Sequence, residues 1–428
     1  MKKLLGSFPV KALLTLVCGI VIGFLLLLAV YALPVEPMAA NVRASVPAFN
    51  GEWAREESYE TLVPGYQGTQ LDNSTDSAML LHAVYESDEP ITVRAAEGYR
   101  YVVDGNAFAA LLEYGKGDAA QMGTSAIARY WHGYLVFLKP LLCMMSYLDI
   151  RMLLAIVQFG MLSAVIAGMC KRQLGRYVPA FLLSMLCITP WATAFSLQFS
   201  TVLLTMLAAM NALLYLPKKR FEGHGLWLFF LLTGMLTSYI DYLTYPLAAF
   251  GMPFVLCAVL YPLDSVKDEW KRFILCGICW AVGYLGMWAG KWVIAAIFGN
   301  EKWFWANLFA KIGERSSDTT ADTALSYAAV LKTVIGVFVK RAYAVAGAAA
   351  VIAWLTAFVR SRKHLHLSSS VTVLTACALL PFAWYFCTQN HSYIHAFYTS
   401  RNLAVTVFAA CCLFTSFLGK NLYKPNDL

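Results

Sequence analysis

The sequence predicts an all-α polytopic membrane protein, and three observations carry that prediction. Hydrophobic residues make up 59% of the 428 residues and charged residues 14%, against roughly 45–50% and about 25% in soluble domains. The apolar residues fall in runs of about 20, the length at which a helix spans a bilayer. Basic residues cluster in the short segments between these runs, so the net charge of +8 does not indicate nucleic-acid binding.

Ten apolar runs predict about ten transmembrane helices. They cover residues 10–33, 149–169, 178–195, 197–216, 225–240, 243–261, 273–298, 342–358, 370–386 and 403–418. The first run follows Lys2 and Lys3 in the sequence and resembles a signal peptide. It is long and no small-x-small cleavage site follows it directly, so we interpret it as a retained anchor.

The distribution of charge predicts the orientation of these spans. The loops and tails on the side of Lys2 and Lys3 carry 17 Lys and Arg against 5 Asp and Glu, and the rest of the chain carries 16 against 20. Because Lys and Arg in short loops set membrane orientation, both termini are expected in the cytoplasm.

This orientation divides the chain into five parts. The predicted parts are a first transmembrane anchor (1–33), an extracytoplasmic loop with juxtamembrane helices (34–148), transmembrane helices 2–7 (149–298), a second extracytoplasmic loop with an interfacial helix (299–341), and transmembrane helices 8–10 with a cytoplasmic tail (342–428). The chemistry is expected on the extracytoplasmic side, because the cytoplasmic loops are short.

The first long loop contains two carboxylates in a predicted helix start. Residues 34–125 hold 14 acidic and 5 basic residues, and Asp72 and Asp76 lie four residues apart. A helix is expected from Ser74 onward, capped by Ser74 or by Asp72. One interpretation makes Asp72 or Asp76 a general base near the membrane surface. The other makes them an N-cap and a favourable first-turn acid.

The segment after this loop is apolar but interrupted by cations, so residues 126–147 are predicted to form a helix in the outer interface. Arg129 and Lys139 would extend to the lipid headgroups, and Trp131 and Tyr134 would lie in the aromatic belt. This helix is either a plain membrane anchor or a lipid-phosphate contact.

Two further outer segments mix acids or cations with aromatic residues. Asp241 and Tyr242 lie at the outer end of the fifth span, where they suit sugar recognition or form an ordinary loop. Trp303 belongs to a loop, residues 299–320, whose aromatic residues fit sugar or lipid binding as well as a membrane belt.

The last outer segment, residues 389–402, combines His391 and His395 with Tyr398 and Arg401. Two imidazoles and a guanidinium at a membrane surface suit an anion such as phosphate. The alternative is a polar loop in which Arg401 anchors the following span. A zinc site would need a third ligand, and no such ligand set is visible in the sequence.

Four of these features together resemble the multi-pass glycosyltransferases of the GT-C superfamily. The likeness lies in Asp72 and Asp76 of a long first outer loop, in RYWHGYLVFLKPLL (129–142), in DYLTYP (241–246) and in NHSYIHAFYTSR (390–401). It implies transfer of a sugar from a polyprenyl-phosphate donor to a glycan or surface-polymer acceptor at the extracytoplasmic face of the cell membrane. Membrane lipids would be further partners, and nucleic acid would not.

The resemblance also implies roles for individual residues. Asp72 or Asp76 would act as the general base of an inverting displacement. The lipid phosphate would be bound by Arg401, His391 and His395, with Arg129 and Lys139 as further candidates, and the sugar or acceptor by Asp241, Tyr242, Tyr398 and Trp303. A monophosphate donor requires no cofactor, whereas a diphosphate donor would favour a divalent ion on Asp72 or Asp76.

Two other functions remain open from the sequence. A flippase or transporter for lipid-linked sugars would need a polar path through the bilayer. The polar outliers within the spans are Gln158, Gln198, Asn211 and Lys291. A non-catalytic subunit of polymer assembly would use the long outer loop as an interaction surface.

Overall fold

The computed structural model describes residues 7–50, 61–117, 122–320, 324–361 and 369–417. Helices dominate these residues, and five of them are long and apolar enough to cross a membrane. These five are Phe8–Tyr31, Tyr147–Lys171, Leu197–Tyr215, Val266–Phe298 and Ala396–Ser416, the last of which includes a short break. The predicted count of ten spans and their sidedness remain predictions. Several cations behind the predicted orientation, among them Lys2, Lys3 and those of the C-terminal tail, lie outside the described residues.

The helices alternate between long apolar segments and short connecting pieces. The first part contains α1 (Phe8–Tyr31), α2 (Val35–Asn50), α3 (Asn73–Ala83), α4 (Ile91–Glu97), β1 (Tyr99–Val102), α5 (Ala107–Lys116), β2 (Gly123–Ala126), α6 (Leu135–Leu142) and α7 (Tyr147–Lys171). The middle part contains α8 (Val178–Ile188), α9 (Pro190–Thr193), α10 (Leu197–Tyr215), α11 (His224–Ile240), α12 (Leu247–Leu260) and α13 (Val266–Phe298). The last part contains α14 (Phe304–Ser316), α15 (Tyr327–Gly336), α16 (Arg341–Ser361), α17 (Val371–Cys387), α18 (Gln389–Ile394), α19 (Ala396–Thr399) and α20 (Leu403–Ser416).

Glycines let α11 and α13 pack with their backbones in close contact. A Cβ added to Gly234 would lie 2.1 Å from the Trp280 carbonyl oxygen, and one added to Gly283 would lie 2.2 Å from that of Leu231. Small residues at such a contact allow the dispersion contacts that hold helices together in a membrane. This helix pair is therefore a rigid wall for the connections at its ends.

The first long loop forms a small folded unit that includes a sheet. Strands β1 and β2 pair antiparallel, with Tyr99 opposite Ala126 and Val102 opposite Gly123. The all-α prediction did not include this sheet. The reason is that each strand has only four residues, and the pairing joins segments more than twenty residues apart. No alternating pattern of that length is visible in the sequence.

The predicted interfacial helix over residues 126–147 is wrong in both extent and environment. The chain forms β2, then an irregular turn, and only then the short helix α6. Trp131 and Lys139 are each 1% exposed and Tyr134 is buried, so none of the three lies at a lipid-facing surface. Trp131 is covered by the bundle, where it packs on Tyr239 and donates to the Met287 carbonyl. Lys139 is covered by the first loop, where it donates to the Ala83 carbonyl.

Four connections meet at one end of the helix bundle, which we call the loop face. They are residues 61–117 with 122–146, the 241–246 turn, residues 299–320 and residues 389–402. The Asn390 amide joins two of them by donating to the Ser317 carbonyl at 3.0 Å, and the Gly133 amide donates to the Tyr239 carbonyl at the end of α11, also at 3.0 Å. The loop face therefore collects nearly all of the side chains that the sequence singled out.

Candidate functional site

Asp72 is the N-cap of α3 and one of two buried acids with the same local geometry. Its carboxylate accepts hydrogen bonds from the Thr75 amide at 2.9 Å and from the Thr75 hydroxyl at 2.8 Å. The side chain is only 4% exposed, and this burial raises its pKa to about 6. Asp72 is thus a helix cap, and its pKa also suits a group that exchanges a proton near neutral pH.

Asp241 repeats this arrangement in the 241–246 turn. Its carboxylate accepts from the Thr244 amide at 3.0 Å and from the Thr244 hydroxyl at 2.6 Å, again three residues downstream. Burial raises the pKa of Asp241 to about 6. Two Asp-x-x-Thr turns from distant parts of the chain therefore bring equivalent carboxylates to the loop face.

Asp76 has a different environment, because its two oxygens are engaged by the starts of α10 and α7. They accept hydrogen bonds from the Ser196 hydroxyl at 3.1 Å, from the amides of Leu197 and Gln198 at 2.9 and 3.1 Å, and from the Tyr147 hydroxyl. Burial raises the pKa of Asp76 despite the opposing effect of Arg151. Asp76 thus caps a membrane helix from the first loop and has no oxygen directed to a substrate.

The hydroxyl of Tyr398 lies within electrostatic range of both Asp-x-x-Thr acids. It interacts electrostatically with Arg315, Asp72, Tyr130 and Asp241. The His395 ring stacks on that of Tyr398, with centroids 5.1 Å apart. We call Asp72, Asp241, Tyr398 and Arg315 the acid–tyrosine cluster.

His391 connects this cluster to the 241–246 turn. Arginine has only donors, so Nη1 of Arg315 donates to Nδ1 of His391 at 2.6 Å. The ring hydrogen is then on Nε2, which donates to the Leu243 carbonyl at 2.8 Å. Leu243 has a left-handed backbone, with φ of 63°, a strained conformation for this residue type. His391 therefore positions the Arg315 guanidinium and also stabilises the strained turn at Leu243.

The surroundings of His391 and His395 favour the neutral imidazole, which suits the expected imidazole-based anion site poorly. Burial and the nearby Arg315 hold the pKa of His391 well below its usual range. The same two causes lower the pKa of His395 to about 3. Both nitrogens of His391 are already engaged. Neither ring supplies positive charge near neutral pH, and the cations of the site must come from elsewhere.

Arg401 is buried inside the protein and is bonded to backbone carbonyls. It donates from Nε to Ile188 at 3.1 Å, from Nη1 to Phe397 at 3.2 Å and from Nη2 to Gly68 at 3.4 Å. Its guanidinium also lies 4.1 Å from the centre of the Phe199 ring. These contacts tie the 389–402 segment to α8 and to the turn before Asp72. They support a structural role better than the expected contact with a lipid phosphate.

An aromatic cavity of about 280 Å³ opens beside the acid–tyrosine cluster. Five aromatic side chains contribute to its wall: Tyr130, Trp280, Tyr284, Trp288 and Trp384. Three cations complete it: Arg129, Lys311 and Arg315. Lys311 forms an ion pair of 2.6 Å with Glu314, and Nε of Arg129 has no hydrogen-bond partner among the described residues. The cavity therefore has apolar walls and a surplus of positive charge.

The other residues singled out by the sequence lie in three different environments. Arg129 lines the aromatic cavity, as a lipid-phosphate role requires. Lys139 lies apart from that cavity, where its Nζ donates to the Ala83 carbonyl at 2.6 Å. Trp303 is 74% exposed at the start of α14. Burial is the reason that Lys139 does not extend to headgroups as expected.

Tyr242 belongs to a network of four hydrogen-bonded rings that adjoins the aromatic cavity. Its hydroxyl lies 2.7 Å from Nδ1 of His132 and 2.8 Å from the hydroxyl of Tyr134, which in turn lies 2.8 Å from Nδ1 of His82. The Tyr242 ring also packs against Tyr130, with centroids 5.1 Å apart. The network therefore fixes the position of one cavity wall.

Sequence reasoning did not select Arg315, Lys311 or Tyr130. The signal that could have found the first two is their spacing, since cations four residues apart lie on the same face of a helix such as α14. Tyr130 lies beside Arg129 in a segment that was expected to be an interfacial helix. Its burial against the bundle could not be read from the sequence.

Two further results bear on this site. Within the part of the chain that the structure describes, no group of three or more His, Cys, Asp or Glu side chains could hold a metal ion. Comparison with protein-family models, with curated proteins and with solved structures finds no match to this chain.

Proposed function

We propose that this protein is a membrane glycosyltransferase of the GT-C type, which moves a sugar from a polyprenyl-phosphate donor to a glycan or surface-polymer acceptor. The observation that carries the proposal is the position of Arg315. Arg315 lines the aromatic cavity. Arg315 and Asp72 both interact electrostatically with Tyr398. A phosphate site and a buried base would thus face the same small space.

In this proposal the prenyl chain of the donor enters between the aromatic walls of the cavity. Its phosphate meets Arg315, Arg129 and Lys311, and the sugar points toward the acid–tyrosine cluster. Guanidinium and ammonium groups in a partly buried cavity stabilise phosphate oxygens more strongly than they do in water. The apolar chain and the anionic head of one molecule each find matching surroundings.

The reaction is a single displacement with inversion. Asp72 accepts the proton of an acceptor hydroxyl, and the oxygen attacks the anomeric carbon of the donor sugar. The bond from that carbon to the phosphate oxygen breaks, and the lipid phosphate leaves with the electron pair. Arg315, Arg129 and Lys311 stabilise the charge that develops on it. Asp241 and Tyr398 are placed to bind hydroxyls of the sugar or the acceptor.

Asp72 is a better base than Asp76 for a geometric reason. Asp76 already accepts hydrogen bonds from Ser196, Leu197, Gln198 and Tyr147. Among the described residues, the Asp72 carboxylate is hydrogen-bonded only to Thr75. The same argument applies to a divalent ion required by a diphosphate donor, which would fit Asp72 rather than Asp76.

The loop face would be extracytoplasmic. This assignment follows from the excess of Lys and Arg in the loops at the opposite end of the bundle. The active site would then meet lipid-linked sugars presented on the outer side of the cell membrane, as the resemblance implies.

Transport is supported less well by the polar groups within the helices. Gln158 donates to the Ser200 hydroxyl at 2.7 Å, and Asn211 donates to the Met161 carbonyl at 3.0 Å. Lys291 donates to the Ala96 carbonyl. Each of these side chains joins neighbouring elements, which is the behaviour of polar groups that pack helices in a membrane.

The test is sugar transfer in proteoliposomes from a panel of radiolabelled polyprenyl-phosphate sugars. Wild type should transfer label, and Asp72→Asn should lower the rate by roughly 10²–10⁴-fold, as loss of a general base does. Asp88→Asn is the matched control, because Asp88 is an exposed acid of the same loop. Equal label in wild type, Asp72→Asn and protein-free liposomes across the panel would refute the proposal.

A further inference from the structure

A second and larger cavity lies on the other side of α17, away from the acid–tyrosine cluster. Its volume is about 750 Å³, and it is bounded by α8, α15, α16, α17 and α20. Leu183, Phe382 and Val407 are typical of its apolar wall. Lys340 is the one charged side chain among the described residues that line it. We call this space the lateral crevice.

The crevice lies between the bundle and the part of α16 nearer the loop face. Near the opposite end, the Trp354 ring packs on Phe414 of α20 with centroids 4.9 Å apart. Toward the loop face, Ala344 and Gly347 of α16 face the crevice instead. A Cβ added to Gly347 would have no atom within 4 Å. The two helices thus touch at one end and are separated by open apolar space at the other.

The surroundings of the crevice indicate what fills it. The outward side of α16 is apolar, with Val345 68% exposed and Ile352 63% exposed. An apolar space next to such a surface excludes water, and a hydrocarbon chain would restore the dispersion contacts missing from its walls. Lys340 is exposed at the loop-face end, where it complements an anionic headgroup. Apolar lining and a terminal cation together match one anionic lipid.

The crevice and the aromatic cavity lie on opposite faces of α17. On α17, Phe382 lines the crevice, whereas Trp384 lines the aromatic cavity. Leu403 of the crevice wall follows Arg401 by two residues, and Arg401 bonds the Gly68 carbonyl in the turn that precedes Asp72. The Arg401 contact therefore links the crevice wall to the segment that holds the proposed base, and a molecule in the crevice would lie across α17 from the donor.

We propose that the lateral crevice binds the hydrocarbon chain of an anionic lipid, and that this lipid carries the acceptor glycan. The second half of this statement rests on the proposed glycosyl transfer. The acceptor hydroxyl then belongs to a lipid-linked saccharide: its proton passes to Asp72, its oxygen bonds to the anomeric carbon, and the donor phosphate leaves. Donor and acceptor are both held in the membrane, one on each side of α17.

The first experiment measures binding without any transfer. The full-length protein in lipid nanodiscs is irradiated with phosphatidylglycerol that has a diazirine in its acyl chain, and the cross-linked peptides are mapped by mass spectrometry. We expect cross-links on the crevice sides of α8 and α20. Phosphatidylcholine with the same diazirine chain should label these sites about fivefold less, the effect of one lysine near an anionic headgroup.

Three variants test the assignment. Gly347→Leu fills open space and should remove the crevice cross-links. Ala349→Leu is the matched control, since Ala349 is an exposed residue of the same helix outside the crevice wall, and it should leave the cross-links unchanged. Lys340→Gln should abolish the preference for phosphatidylglycerol. Labelling of the exposed face of α7 equal to that of the crevice, or labelling insensitive to Gly347→Leu, would overturn the binding site.

The second experiment tests the acceptor. Transfer is measured to polyprenyl-linked saccharides and to the same saccharides released by mild acid. Gly347→Leu should lower transfer to the lipid-linked form several-fold and leave transfer to the released form unchanged. An equal effect on both forms would overturn the acceptor assignment. Absence of transfer by wild type would count against the proposed function, and the cross-linking result would still decide the lipid site.

Discussion

Arg315 and His391 are joined by a hydrogen bond of 2.6 Å, although both belong to basic residue types. The bond requires a neutral imidazole, and the lowered pKa of His391 provides one. Because Nε2 of the same ring is fixed by the Leu243 carbonyl, the direction of the Nδ1 lone pair is also fixed. His391 therefore sets the position of a cation at the edge of the aromatic cavity and contributes no charge itself.

Removal of this hydrogen bond should weaken donor binding more than it slows the chemical step. His391→Leu leaves Arg315 without its acceptor, and a hydrogen bond to a charged group is worth about 1.5–3 kcal/mol, or roughly 10–100-fold. We expect KM for the polyprenyl-phosphate sugar to rise by that factor, with a smaller fall in kcat. His395→Phe is the control, since it keeps a ring stacked on Tyr398. A similar rise in KM for both variants would contradict the positioning role.

The raised pKa of Asp72 predicts the pH dependence of transfer. The base must be unprotonated, and burial raises the pKa of Asp72 to about 6. Transfer should therefore be maximal above neutral pH and fall as the pH decreases through about 6, tenfold per unit at the acid end. Asp241 has a similar pKa, so Asp241→Asn separates the two acids: the rate and KM can change, but the acid limb should remain. Its disappearance would assign the base to Asp241.

Asp76 is predicted to matter for stability. Asp76→Ala leaves the first amides of α10 and the Tyr147 hydroxyl without their acceptor, which should lower the free energy of unfolding by about 2 kcal/mol or more. A thermal shift of the detergent-solubilised protein measures this effect. Asp149→Ala, which removes an exposed cap of α7, should shift the melting temperature far less. An unchanged melting temperature in Asp76→Ala would mean that Asp76 is not a structural cap.

The contact between α11 and α13 should not tolerate even a methyl group. A Cβ on Gly283 would lie 2.2 Å from the Leu231 carbonyl oxygen, so Gly283→Ala must push the two helices apart. We expect a lower melting temperature and a lower yield of folded protein by size-exclusion chromatography. Gly160→Ala is the matched control, because a Cβ on Gly160 of α7 has no atom within 4 Å. Equal behaviour of the two variants would contradict the close approach.

The sequence was most informative where structure is decided locally. Apolar runs predicted the helices, and each of the ten predicted spans overlaps at least one of them. The helix cap at Asp72 was one of the two predicted, with Ser74 as the other, because a carboxylate three residues before a free amide is a local arrangement. By contrast, the first-loop sheet was missed, since its pairing joins Tyr99 to Ala126 and depends on the fold between them.

The sequence by itself determined that this chain is mostly helical and apolar, and which connections carry the acids, histidines and cations. The length of an apolar run and the capping of a helix depend on residues that are close in sequence, so both can be read from the sequence directly. Only the tertiary structure decided what each polar group does. The Asp76 carboxylate accepts a hydrogen bond from the Leu197 amide, 121 residues away. Arg401 donates to the Gly68 carbonyl, 333 residues away. The physical reason is that burial shifts the pKa of a side chain and hydrogen-bond partners fix its orientation. Both the burial and the partners come from segments that meet only after folding.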